Sequence, residues 1–251
     1  MLELREYLEF EKGTLPLIVS VPHGGLLECE MIPERSTGVL GIDRGTVEFA
    51  KNLIELIIMK FKKKKSKLKS PSYIFSKIRR SKVDLNRDEN EAYYKASDIA
   101  REIYHFYHNT IQKLINYNLE NFDCSLLIDI HGFEKDDRPP GFRDVELILG
   151  TDNLNSIFPK PVPKKDWEKN IRGKIIQKLL NLGISIAPGH PRRKEYVLTG
   201  GYITRRYGAS HLKSKSQAMQ IELSDRVRLY DQELRNLVLI NLADILVENL
   251  V

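Results

Sequence analysis

The chain has 251 residues, a formal net charge of +6, and 41% hydrophobic and 29% charged residues. This length allows one large domain or two small ones, and the composition predicts a soluble globular protein with a sizeable core. No apolar run is long enough to cross a membrane, and the mixed, acidic stretch at residues 1–6 differs from a secretory signal. Cys29 and Cys124 are far apart and form no CxxC pair, which predicts reduced thiols in a cytoplasmic protein.

The first candidate functional residue, His23, follows the first predicted strand. Residues 15–21 are apolar and β-branched, which is typical of a buried strand. Pro22 ends the strand because it cannot continue a central hydrogen-bonded ladder, and two glycines after His23 allow a sharp turn. A single histidine in this position is more often structural than functional.

A connection at residues 26–41 contains Glu28 and leads to Asp43, which precedes a helix predicted over residues 47–61. An aspartate at a helix start can act as an N-cap, and that role alone would explain Asp43. The helix continues into a lysine-rich run at residues 62–69. Such a run can bind nucleic acid or another anion. The absence of interleaved aromatic residues favours a solvated helix end instead.

A short strand predicted at residues 72–75 leads to an Asp-Leu-Asn-Arg run at 84–87. The amide of Asn86 and the planar guanidinium of Arg87 can together hold a carboxylate, although a turn with a surface arginine is the simpler interpretation. An amphipathic helix is predicted over residues 97–119. It carries His105 and His108, which lack the carboxylate partner of a zinc-binding helix. We interpret them as structural or as supporting a site from behind, with His108 also a candidate for contacting substrate.

The run Asp129-Ile130-His131 follows three apolar residues that predict another buried strand. Side chains two residues apart on a strand point to the same side, so Asp129 and His131 share a face. His131, like His23, lies at a strand end. Two histidines at two strand ends indicate a possible metal site.

The remaining chain alternates between strands at 145–149, 183–187 and 218–224 and helices at 167–182 and 230–250. A glycine-bounded stretch at 200–208 is either a helix start or a recognition loop that offers Arg205 or Arg206 to an anion. On the 218–224 strand, Gln220 and Glu222 share one face, and a buried acid is costly unless it is paired or functional. The sequence contains no internal repeat and no low-complexity linker. The alternation therefore predicts one domain over residues 1–251, with an α/β fold, a mixed, mostly parallel sheet and helices on both faces.

Four of these features, namely His23, the 84–87 run, the 129–131 run and Glu222, occur in an order that resembles the zinc carboxypeptidase-like superfamily, which includes aspartoacylase. Three stretches point to one family within this superfamily. They are Pro-His-x-Gly at residues 22–25, Gly-Gly-Tyr-Ile-Thr-Arg at 200–205 and Gln-x-Glu-x-Ser at 220–224. Together they are similar to the N-formylglutamate amidohydrolase family, from about residue 20 to residue 224. The resemblance implies a phosphorylase/hydrolase-like, zinc carboxypeptidase-like fold.

The resemblance also implies one Zn²⁺ held by His23, His131 and a carboxylate. The superfamily commonly has a glutamate three residues after the first histidine, where this chain has Leu26. Because the superfamily's glutamate lies at the start of the following helix, we predict Asp43 as the third ligand, with Glu28 as the second candidate. Asp129 would support the site from behind the ligands.

The same resemblance assigns the general base to Glu222 and carboxylate binding to Asn86 and Arg87. Arg80 and Arg205 match arginines of the narrower family, which implies that they bind substrate by holding a second carboxylate or by polarising the carbonyl. These roles predict a zinc-dependent amidohydrolase acting on a small N-acyl amino acid, with N-formylglutamate, giving formate and glutamate, as the first guess. The alternatives are a related zinc deacylase or carboxypeptidase with another N-acyl amino acid or peptide as substrate, and a nonenzymatic anion or nucleic-acid binding protein that uses residues 62–69.

Overall fold

The computed structural model describes residues 4–65, 68–136, 144–196 and 198–250. Within them the strands are β1 (Leu8–Glu11), β2 (Leu17–Val21), β3 (Ser72–Ser76), β4 (Ser125–Phe133), β5 (Leu147–Gly150), β6 (Ile186–Ala187) and β7 (Ser216–Ser224). The α-helices are α1 (Thr46–Lys65), α2 (Glu89–Ala92), α3 (Asp98–Phe122), α4 (Ile171–Asn181), α5 (Tyr202–Tyr207) and α6 (Gln232–Asn249). The predicted α/β fold is confirmed.

The described strands form one sheet in the order β1-β3-β2-β4-β7-β5-β6. The four central strands β3, β2, β4 and β7 are parallel to one another. β1 pairs with β3 and β5 pairs with β7 in antiparallel fashion, while β5 and β6 are mutually parallel. The sheet is therefore mixed and mostly parallel, as predicted, and the carboxyl ends of its central strands meet at one edge.

Helices cover both faces of the sheet, and the alternation of side chains along each strand divides the core in two. Val19, Ile128 and Ile221 belong to the core that contains residues of α1, α4 and α6. Ile18 and Leu127 point the other way, into the core that contains residues of α3 and α5. On this second face the strands become polar toward their carboxyl ends, so this end of the sheet is suited to a site rather than to more core.

Several predicted boundaries change because caps, rather than apolar spacing, determine where a helix begins. The helix predicted from residue 167 starts at Ile171, since the Asn170 side chain accepts a hydrogen bond from the Gly173 amide at 3.1 Å. β1 was not predicted; it is a four-residue edge strand beside β3. Among the described residues, no helix combines the length and the apolar character that crossing a bilayer requires.

Candidate metal centre and cleft

The connection between β2 and α1, residues 22–45, brings His23 and Asp43 together. His23 lies two residues beyond the end of β2, and its carbonyl accepts a hydrogen bond from the Asp43 amide at 3.0 Å. Thr46 bonds to the main-chain carbonyl of Asp43, through its amide at 3.3 Å and its hydroxyl at 2.6 Å. The Asp43 carboxylate instead accepts from the Gly132 amide at 3.1 Å, next to His131. The Asp43 carboxylate therefore links this connection to the end of β4 and does not cap α1.

Three donor atoms converge at this point. His23 Nδ1 lies 3.1 Å from His131 Nδ1, and Asp43 Oδ2 lies 3.6 Å from the first nitrogen and 3.3 Å from the second. All three residues are buried. They form the only group of three or more potential metal-binding side chains found among the described residues.

The spacing of these donors suits a tetrahedral metal ion. Zinc bonds of about 2.0–2.1 Å place neighbouring ligand atoms of a tetrahedron about 3.3–3.4 Å apart, and the three observed distances lie on both sides of that value. Each imidazole also directs its Nε2 to a carboxylate, so a neutral ring can keep the Nδ1 lone pair for a metal. The three residues therefore fit a metal site with an open fourth position.

The carboxylates behind the two histidines are Asp84 and Asp129. His23 Nε2 lies 2.7 Å from Asp84 Oδ1, and His131 Nε2 lies 2.8 Å from Asp129 Oδ2. Ser20 on β2 donates a short hydrogen bond to the other oxygen of Asp129. Asp129 thus lies behind His131, on the strand face that the two residues were predicted to share, and its supporting role stays a prediction. Asp84 was not predicted as a site residue. The signal for it was its position as the first residue of the 84–87 run, from which Asn86 and Arg87 were predicted.

Asp84 is fully buried and surrounded by positive charge. Its Oδ2 lies 3.1 Å from Arg80 Nε, 2.9 Å from Arg87 Nε and 3.3 Å from Arg35 Nη1. Burial by itself would raise the pKa of this carboxyl, but His23 and the nearby guanidinium groups hold the pKa of Asp84 well below its usual range. The ionised carboxylate therefore orients His23 and also fixes two of the predicted substrate-binding arginines.

Glu222 reaches the site from β7, directly across the ladder from His131. Its side chain is 8% exposed, and burial raises its pKa, although the nearby His131 opposes the shift. Gln220, two residues earlier on the same strand face, donates a hydrogen bond from Nε2 to Glu222 Oε1 at 2.6 Å. A buried carboxylate with a raised pKa beside a possible metal site is typical of a general base.

These groups lie in a cleft of about 580 Å³. The predicted residues that line it are His23, Asp43, Arg80, Asn86, Arg87, His131, Arg205 and Glu222. Asn86 is held at its amide oxygen, which accepts from the Ile203 amide at 2.8 Å. The Arg205 side chain is exposed and forms no ion pair or hydrogen bond with the described residues, so its guanidinium is available to an anion in the cleft.

Glu28 and His108, like Asp129, do not line the cleft. Glu28 forms a close ion pair with Arg79 and is half exposed, so the structure favours Asp43 over Glu28 as a third metal ligand. His108 is buried behind α5, where its Nδ1 lies 2.9 Å from the hydroxyl of Tyr207. This position corrects the expectation that His108 could contact substrate.

The lysine-rich run extends the end of α1. Residues 62–64 are exposed helix, while residues 66–67 and the side chain of residue 65 lie outside the described residues. None of the described residues of the run lines the cleft. The preference for a solvated helix end over an anion-binding surface stays a prediction.

The fold has relatives among solved structures, although no protein-family model and no curated protein sequence matches the chain. An N-formylglutamate amidohydrolase from Ralstonia eutropha JMP134 is similar with a TM-score of 0.63 and 12% identity, over 97% of this chain and 98% of the other. A gene product of Agrobacterium tumefaciens is similar with a TM-score of 0.62 and 14% identity, over 97% and 93% of the two chains. At these identities the likeness concerns architecture, and it shows that this chain has the α/β fold seen in N-formylglutamate amidohydrolase.

Proposed function

We propose that this chain is a zinc-dependent amidohydrolase that cleaves a small N-acyl amino acid, with N-formylglutamate as the first candidate substrate. The observation that carries the proposal is the convergence of His23 Nδ1, His131 Nδ1 and Asp43 Oδ2 within 3.6 Å of one another, beside the buried carboxylate of Glu222. The fold shared with an N-formylglutamate amidohydrolase supports the choice of substrate class.

His23, Asp43 and His131 would hold the ion through two nitrogens and one oxygen, a donor set that zinc accepts. Zinc bound there would polarise a carbonyl and lower the pKa of water. Asp84 and Asp129 accept from the Nε2 atoms of the two histidines, which keeps each ring in the tautomer that presents Nδ1.

Glu222 is the proposed general base. Its carboxylate takes a proton from the attacking water and then gives a proton to the leaving amine. Because Glu222 faces His131 across the β4–β7 ladder, its distance from the metal ligands is fixed by main-chain hydrogen bonding. Burial favours the protonated form of a carboxyl, which suits its second task as a proton donor.

Arg80, Arg87 and Arg205 make the cleft suitable for an anionic substrate. Arg87 is oriented by Asp84 and by Glu91, whose Oε2 lies 3.0 Å from Arg87 Nη1, while Arg205 is unengaged by the described residues. A planar guanidinium can bind a carboxylate through two parallel hydrogen bonds. An N-acyl amino acid with two carboxylates, such as N-formylglutamate, would use more than one of these arginines.

The test is a hydrolysis screen of zinc-loaded protein over N-formyl, N-acetyl and N-succinyl amino acids, with release of the acid and the free amine both measured. We expect cleavage of an acidic N-acyl amino acid, and E222Q should retain zinc while kcat falls about 10²–10⁴-fold. E120Q, a surface change on α3, is the matched control and should keep wild-type kcat. The proposal fails if zinc-loaded protein cleaves none of these substrates; full activity in E222Q would remove Glu222 from the role of base.

A further inference from the structure

The side-chain amide of Gln220 bridges the Glu222 carboxylate and the loop that precedes α5. Its Nε2 donates to Glu222 Oε1 at 2.6 Å. Its Oε1 accepts from the backbone amide of Gly201 at 2.5 Å. Gln220 is 4% exposed, so both hydrogen bonds are largely shielded from water. One side chain therefore connects the proposed base to the wall of the cleft.

The two partners leave the Gln220 amide a single orientation. The Gly201 N–H can only donate, so it faces the amide oxygen, and an ionised carboxylate can only accept, so it faces the NH₂ group. If the amide were rotated by 180°, Gln220 Oε1 would face the Glu222 carboxylate and Gln220 Nε2 would face the Gly201 N–H, and neither hydrogen bond could form. The bridge therefore fixes Oε1 of Glu222, whereas Oε2 has no hydrogen-bond partner among the described residues.

The loop can approach Gln220 because the neighbouring strand carries no side chain there. Gly150 of β5 is the residue paired with Gln220 across the β5–β7 ladder. A Cβ atom at Gly150 would lie 2.4 Å from the backbone nitrogen of Gly200. Because residue 150 is glycine, Gly200 can lie against the surface of the sheet. Gly201, which follows Gly200, can then donate its N–H to Gln220.

Asn86, on the other side of the cleft, contacts both the start of α5 and Gly201 in the preceding loop. Asn86 Oδ1 accepts from the Ile203 amide at 2.8 Å, and Asn86 Nδ2 lies 3.3 Å from His131 Nε2. A Cβ atom at Gly201 would lie 2.2 Å from Asn86 Nδ2. The wall formed by residues 199–202 is therefore held between Gln220 and Asn86.

We propose that Gln220 is a positioning residue that couples the placement of the 199–202 wall to the orientation of the Glu222 carboxylate. The inference rests on the proposed function, because it assumes that Glu222 acts as the base. A substrate that contacts the wall would bias the Gly201–Gln220 hydrogen bond and, through it, the carboxylate. Gln220 itself acts only through Glu222 and needs no contact with substrate.

The kinetic test replaces Gln220 with methionine, which has similar length and cannot form either hydrogen bond. With zinc content unchanged, we expect kcat of Q220M to fall about 10–100-fold, since a small misplacement of a catalytic group costs up to about that factor. Q217M is the matched control, because Gln217 lies on the same strand at the end away from the cleft and should keep wild-type kcat.

A double-mutant cycle separates action through Glu222 from a general effect on the cleft. In the E222Q background, Q220M should change the residual kcat by less than about twofold, because the group it positions is already removed. An equal fall of kcat in both backgrounds, or wild-type kcat in Q220M itself, overturns the coupling.

Amide hydrogen exchange tests the bridge without any turnover. In zinc-free protein, Q220M should accelerate exchange of the Gly201 amide roughly fivefold, as expected for the loss of one hydrogen bond, and leave the Ile203 amide unchanged. Q220E retains an acceptor for Gly201, so it should keep that amide protected while kcat falls. Unchanged Gly201 exchange in Q220M overturns the inference. Wild-type protein without hydrolase activity would overturn the proposed function, and the exchange result would still decide whether the bridge exists.

Discussion

Four buried carboxylates around the candidate metal centre have different neighbours, and their proposed roles differ accordingly. Asp43 faces two imidazole nitrogens, and although burial opposes ionisation, hydrogen bonds with His131 and His23 hold its pKa below the usual range. Asp84 and Asp129 lie on the far sides of the two histidines. Among the described residues, Gln220 alone donates a hydrogen bond to the Glu222 carboxylate, and burial raises the pKa of Glu222. Residue type alone shows none of these differences, so only the surroundings distinguish a ligand from a base.

The third metal ligand can be identified by comparing zinc affinities of D43N and E28Q. We expect D43N to weaken zinc binding by at least about tenfold, because an anionic donor is lost from the cluster. E28Q should bind zinc like the wild type, since Glu28 pairs with Arg79 outside the cleft. Titration against a competing chelator measures both constants. Unchanged affinity in D43N, or a loss confined to E28Q, would exclude Asp43 as the ligand.

At the scale of elements, α3 and α5 pack against each other around a neutral histidine. Burial, with a smaller effect of the Arg206 charge, lowers the pKa of His108 to about 3. Its ring contacts Tyr104 and Tyr207, whose centroids lie 4.3 and 6.0 Å away. Apolar spacing predicted α3 and placed His108 on it. Spacing along one helix does not reveal which other element packs against the helix face that carries His108. The partner of His108, α5, comes from a segment distant in sequence.

This packing predicts a loss of stability in mild acid. An unfolded histidine titrates near pH 6.5, so below that pH the unfolded chain binds a proton at position 108 that the native state excludes. Stability from this group is present above about pH 6.5 and declines as the pH falls toward 3. Between pH 7 and pH 5 the expected loss is about 2 kcal/mol.

The comparison that isolates this effect uses urea unfolding at both pH values. H108N should lose about 2 kcal/mol less than the wild type between pH 7 and pH 5, because its side chain does not titrate. N109Q, an exposed change next to His108 on the same helix that removes no titrating group, should retain the wild-type pH dependence. The same pH dependence in H108N and wild type would show that His108 is not the group responsible.

At the scale of the whole molecule, the site forms where three central strands end together. His23 follows β2, His131 lies on β4 and Glu222 lies on β7, and these strands are adjacent in the sheet. The sequence predicted both histidines at strand ends, and parallel neighbouring strands then bring them together. It did not predict that β5 is antiparallel to β7, nor the contacts of Asp84 and Gln220, because these depend on strand order and loop conformation rather than on local pattern.

A metal bound where strand ends meet should stabilise the entire fold. Any ligand that binds only the native state adds free energy of unfolding, about 2.7 kcal/mol at a zinc concentration 100 times Kd. We expect zinc to raise the urea midpoint of the wild type relative to chelator-treated protein, with no such increase in H131A. Equal midpoints with zinc and with chelator in the wild type would contradict a specific site at this edge.

The direct pairing of His131 with Glu222 across β4 and β7 also limits how this scaffold can be re-engineered. The sheet sets the spacing of these two residues, so sequence changes aimed at new substrates are best confined to the 199–202 wall of the cleft. Even this wall cannot be replaced by an arbitrary sequence, because the Gly201 N–H donates the hydrogen bond that holds Gln220. We expect grafts that keep glycine at position 200, where φ is +112°, and at position 201, beside Asn86, to tolerate variation at the other positions. Grafts that place proline at position 201 should fail however well they match the new substrate, because proline lacks the N–H that Gln220 needs.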